Sequence, residues 1–206
     1  MFFYKYKALK TLIDFSKWPE NIYAPAIFTL NRKQNKKLEH FPVTKKHIEC
    51  LLSFLWHCSV QDQELLMHYR EGYLRAALME FSLLEDSLND EYPSNSFKFI
   101  GGDEPIFHLL KMLRNTQLHL RNISLEEMEF EYIWGKDEDG NPRTWQGKIH
   151  ISQDLHISDL SKWKGLKYYE EEQVIKILNW FNKEQKSFGI QNLIYQGMNR
   201  FIEILP

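Results

Sequence analysis

Arg114, Asn115 and His119, in the stretch "MLRNTQLHL" of residues 112–120, are residue types that can work together on a phosphodiester. A histidine whose ordinary pKa is near 6.5 can take up and release a proton at neutral pH. An arginine can hold a phosphate through two N–H groups and stabilise charge on its oxygens. On a helix, Asn115 and His119 stand four residues apart and share a face, so the amide is expected to orient the imidazole. Arg114 lies about 140° around a regular helix from His119. One phosphate can meet both only if the helix bends or a second copy completes the site. The competing interpretation is that both cations end a helix, where positive charge suits the dipole.

An arginine followed at such a distance by a histidine is a weak pattern. With seven arginines and 8 histidines, chance supplies roughly one such match. Arg143 and His150 form one too, and there the expectation is a turn arginine and a strand histidine. Requiring Asn directly after the Arg lowers the chance to about 0.02 per chain.

"LRNTQLH" resembles the Arg-x4-6-His motif of HEPN-domain ribonucleases, in the form with Asn after Arg. The helical stretch from about 44 to 123 resembles the body of such a domain, so the likeness covers about half the chain. It implies a mainly α fold, a helical bundle that dimerises so that two motifs share a cleft. It implies a metal-independent endoribonuclease of toxin–antitoxin, phage-defence or RNA-processing systems, with no cofactor. Its substrate is expected to be single-stranded RNA, and its partners a second copy and an antitoxin or regulatory protein. Arg114 and His119 would be the catalytic pair, with Asn115 supporting them. Attack by the ribose 2′-OH would leave a 2′,3′-cyclic phosphate and a 5′-OH. Two alternatives stay open: a catalytically silent domain of this type that binds RNA or nucleotide, and a helical protein-interaction module.

The rest of the chain must build the scaffold. Its 206 residues, 43% hydrophobic and 15% aromatic, suffice for one sizeable core. The net charge of −2 gives no whole-molecule attraction for nucleic acid, so any basic surface must be local. Lys33, Lys36, Lys37, Lys45 and Lys46 are the candidates for tracking an RNA backbone, against a solvated basic loop. Cys50 and Cys58, eight apart on one expected helix, would sit roughly 12 Å apart, too far for a disulfide. No Cys-x-x-Cys or other metal-ligand spacing is present, and the histidines at 57, 68 and 108 are expected to be ordinary. The start "MFFYKYKALKTLIDF" does not read as a signal peptide, and no apolar run approaches the roughly 20 residues of a membrane span. A cytoplasmic protein is expected.

Residues 1–43 read as a short mixed lead, with strands at "FFYKY" and "NIYAPAIFTL", a helix around 8–17 and a basic connection at 31–40. A helical domain follows over 44–206. Thr44 is expected to cap its first helix, and Asp103 with Pro105 to open the helix that carries the motif. The long helix between them is expected to bury Leu66, Tyr69, Tyr73, Ala76, Ala77, Leu84 and Leu88, with Glu80 at the stripe edge available to Arg114. Over about 127–151 the period changes to two, predicting a β-hairpin with Met128, Phe130, Tyr132 and Trp134 on its core face. Gly189 is expected to interrupt the final helix.

Overall fold

The computed structural model describes residues 11–20, 22, 25, 27–59, 67–93, 96–119 and 125–206, with only the backbone at 67, 68, 116–119, 132–134 and 145. The fold is mainly α with one β-hairpin, as the sequence patterning predicts. The elements run α1 (Arg32–Leu38), α2 (Pro42–Ser59), α3 (Met67–Glu91), α4 (Pro105–His119), β1 (Leu125–Lys136), β2 (Pro142–Ser152) and α5 (Glu171–Ile204). Among the described residues no helix is long and apolar enough to cross a membrane.

Each helix of the bundle gives one apolar stripe to a shared core. Ile48, Leu51, Leu52 and Leu55 come from α2, and Leu74, Ala77, Leu78, Phe81, Leu84 and Leu88 from α3. From α4 come Ile106, Leu109, Leu110 and Leu113; from α5, Ile190, Leu193, Ile194 and Phe201. Ala77, Leu84 and Leu88 are buried as expected, but the start of α3 is rotated: Tyr69 is 56% exposed, while Arg70 and Leu74 point inward. Leu66 lies outside the described residues. At one end of the core, Phe99 stacks on Phe81 at 4.7 Å and meets Phe107 edge-on at 5.1 Å, favoured geometries for aromatic pairs.

Helix α5 crosses the whole molecule and changes direction at Gly189, whose φ of 75° lies where a side chain is strained. A Cβ there would also stand 2.6 Å from the Ile149 Cβ, so the kink is where the hairpin docks. Gly197 permits a second close approach, since a Cβ would come within 2.2 Å of the Leu110 methyl on α4.

Several local expectations are corrected. Residues 31–40 are not a plain loop: Asn31 caps α1 in a reciprocal capping box with Gln34. Thr44 does not cap α2. That helix starts at Pro42, and the Glu91 carboxylate at the far end of α3 accepts from the N–H groups of Val43 (2.6 Å) and Thr44 (2.9 Å). The Asp103 side chain receives Lys17 at 2.8 Å, while Pro105 does open α4. Residues 11–17 hold a short 3-10 turn at Phe15–Lys17 rather than an α-helix. The first proposed strand lies outside the described residues, and 27–30 of the second are not strand.

β1 and β2 pair antiparallel, with Glu127 opposite His150 and Met128 opposite Ile149. The expected core face is inverted at the start of β1. Leu125 is buried and Glu127 turns towards α3, whereas Met128 is 42% exposed. Phe130 is half-buried. Only the backbone of Tyr132 and Trp134 is described. Along its other edge β2 is closed by side chains of α5. Gln191 accepts from the His150 N–H and donates to the Lys148 carbonyl, at 3.0 and 2.7 Å. Gln185 does the same for both backbone groups of Ser152, at 2.8 and 3.1 Å. These buried amides replace a third strand.

Candidate functional site

Arg114 and Asn115 lie on the last turns of α4, directly after Leu113, which is buried in the core. Both side chains are half-buried. The Asn115 amide is fixed from two sides: its Nδ2 donates to the Lys111 carbonyl at 2.7 Å, and its Oδ1 accepts from Arg114 at 3.1 Å. Asn115 therefore orients the guanidinium. The expectation that it orients His119 falls on a side chain outside the described residues. Lys111 itself is held by Glu85 at 3.6 Å, and Glu85 also accepts from the Phe99 N–H at 2.8 Å.

Among the described residues Arg114 lacks the carboxylate partner that three other arginines have. Arg70 meets Glu127, Arg75 meets Glu71, and Arg200 meets Glu104. Among the described residues no carboxylate reaches Arg114, and its Nε is buried without a hydrogen-bond partner. Glu80, the acid expected to be available to it, bonds instead to His47 Nδ1 at 2.7 Å. A partly desolvated guanidinium with spare donors is a ready ligand for an anion.

α4 is helical through His119, so Arg114 and His119 keep their separation of about 140° around the axis. The His119 imidazole lies outside the described side chains, as do Leu120 and Arg121. The structure thus brings Arg114 and Asn115 together, and the two ends of the motif diverge on one chain.

The basic candidates lie on α1 and α2, and two of them already have partners. Lys37 donates to the Glu203 carbonyl at 2.9 Å, and Lys45 lies 3.9 Å from Glu49. Lys33 and Lys37 line a shallow cleft with Glu203, on α1. Lys36 and Lys46 lie on α1 and α2. Of the pair Arg143 and His150, His150 is a buried strand residue as expected, whereas Arg143 lies exposed at the start of β2 rather than in the turn.

Two polar clusters escape sequence reasoning. In the first, Glu127 accepts from Lys148 at 2.7 Å and stands 3.5 Å from both Arg70 Nε and His150 Nε2. Burial pushes the His150 pKa down to about 4, against the pull of Glu127. Burial also works to raise Glu127, but Lys148, Arg70 and His150 outweigh it and hold the carboxyl below its usual range. The alternation of β1 could have located Glu127, but nothing local says that α3 supplies an arginine. The second cluster pairs Arg200 with Glu104 and Lys17 with Asp103 beside a polar cleft of about 310 Å³. Its cations are already neutralised. His108 is ordinary: it bonds Tyr169 at 2.8 Å and the Gly102 carbonyl at 3.0 Å, and burial lowers its pKa. His57 stacks on Tyr73, and Cys50 and Cys58 are free thiols.

No family model, curated protein or solved structure matches the chain.

Proposed function

We propose that this protein is a metal-independent RNA endonuclease of HEPN type, acting through Arg114, His119 and Asn115 as a toxin or phage-defence effector. The observation that carries the reading is the state of Arg114: half-buried, without a carboxylate among the described residues, and aimed by Asn115. A cation that merely ends a helix needs no such clamp.

In the proposed reaction the ribose 2′-oxygen attacks phosphorus as the bond to the 5′-oxygen breaks. The 2′-OH proton passes to a neutral histidine, and a protonated histidine supplies a proton to the departing 5′-oxygen. Arg114 holds the non-bridging oxygens as charge builds on them. Because the motif diverges on one helix, the two ends would come from two copies of the chain. Asn115 keeps the guanidinium from collapsing onto a backbone carbonyl.

The test is incubation with 5′-labelled single-stranded RNA in excess EDTA. Fragments ending in 2′,3′-cyclic phosphate are expected, and a 2′-deoxy substitution at the cleaved nucleotide should block that cut. Cleavage that requires added Mg²⁺, or that ignores the 2′-deoxy substitution, would contradict the proposal. RNA binding without cleavage would mark a silent domain.

A further inference from the structure

Among the described residues the hairpin is closed on one side only. The Gln191 contacts show that the His150 N–H and Lys148 carbonyl point away from β1. In an antiparallel ladder, residues directly opposite each other share this property. Glu127 and Glu129, which face His150 and Lys148, therefore turn their N–H and C=O groups to the outer edge of β1, and Glu131 follows by the same alternation. Among the described residues no backbone bond reaches that edge. No bulge interrupts the ladder before Ile133/Gly135, and no lysine or proline interrupts β1 before Lys136. Lone two-stranded sheets are marginal in water, and an open edge is a template for another strand.

The chemistry beside that edge is one-sided. Glu127, Glu129 and Glu131 lie on one face and Met128 and Phe130 on the other. Glu126 and Glu129 have no ionic or hydrogen-bonding partner among the described residues, and Met128 is 42% exposed. Pairing β1 with its own copy would set glutamates against glutamates, which is unfavourable.

We propose that the outer edge of β1 is a docking site for an extended segment of another protein, in which basic and apolar residues alternate. The segment adds as a third strand: its main chain bonds to Glu127, Glu129 and Glu131. Its lysines or arginines lie beside the glutamates and its apolar side chains beside Met128 and Phe130. This inference stands apart from the nuclease reading, since an acidic edge repels RNA.

The experiment is fluorescence anisotropy of the full chain with a labelled synthetic hexapeptide alternating lysine and valine. Binding is expected. It should be lost when the same residues are arranged as a valine block and a lysine block, and when alternate amides are N-methylated. Glu129→Lys with Glu131→Lys should weaken binding about tenfold or more, as reversed cross-strand pairs of up to about 1 kcal/mol each would. Equal binding of the blocked or N-methylated peptide by the parent protein would overturn the proposal, whatever the folding of the variant. A parent dimer that splits on the double substitution would place a second copy there instead, which also overturns it.

Discussion

At the scale of single residues, some polar side chains hold the fold and others are proposed to do chemistry. His150 belongs to the first group. Its folded pKa, near 4, lies below the ordinary value of 6.5, so between those values the unfolded chain binds more protons than the folded one. Stability should therefore fall as pH is lowered from about 6.5 towards 4, and protonation of Glu127 should add to the loss at the acid end. Urea melts at stepped pH would show this, and His150→Gln should flatten the upper part of the slope. A parent whose midpoint is constant from pH 7 to 4 would contradict the assignment. Asn115 is proposed to belong to the second group. Asn115→Ala should lower RNA cleavage by about tenfold, one hydrogen bond's worth, without moving the thermal midpoint by more than a few degrees.

At the scale of elements, what was legible was what neighbouring residues determine. The stripe on α4, the two-residue alternation of the hairpin and the break at Gly189 are all local patterns, and each became the expected element. What was hidden depends on partners distant in sequence. The cap of α2 comes from Glu91, and the face of β1 that meets the core is set by Arg70. The outer edge of β2 is satisfied by glutamines that a helical pattern would read as solvent-facing. Within the site the residue types were legible, but the partner of Asn115 was not, since a side chain on a helix can reach back to Lys111 and sideways to Arg114. Gln191→Leu should strand two buried backbone groups and cost about 2–4 kcal/mol in denaturant unfolding. Gly189→Ala should cost at least about 1 kcal/mol, because it strains φ and pushes on Ile149. Either variant as stable as the parent would show that the hairpin docks differently.

At the scale of the whole molecule, one chain supplies a bundle and a hairpin arm, and the proposed site needs a second copy. We predict a two-fold homodimer with the end of α4 at or beside the interface. Light scattering at micromolar concentration should give twice the chain mass of 24.8 kDa. A monomer that cleaves RNA would refute the divided site. The central claim, that Arg114 and His119 act on RNA, is tested most directly by comparing cleavage rates of the parent, Arg114→Ala and His119→Ala on single-stranded RNA in EDTA. Thermal melts serve to verify folding. The account predicts that each variant stays folded and loses activity, by about 10²–10⁴-fold for His119, and that Arg114→Lys recovers little of it. Folded alanine variants that cut RNA as fast as the parent would contradict it.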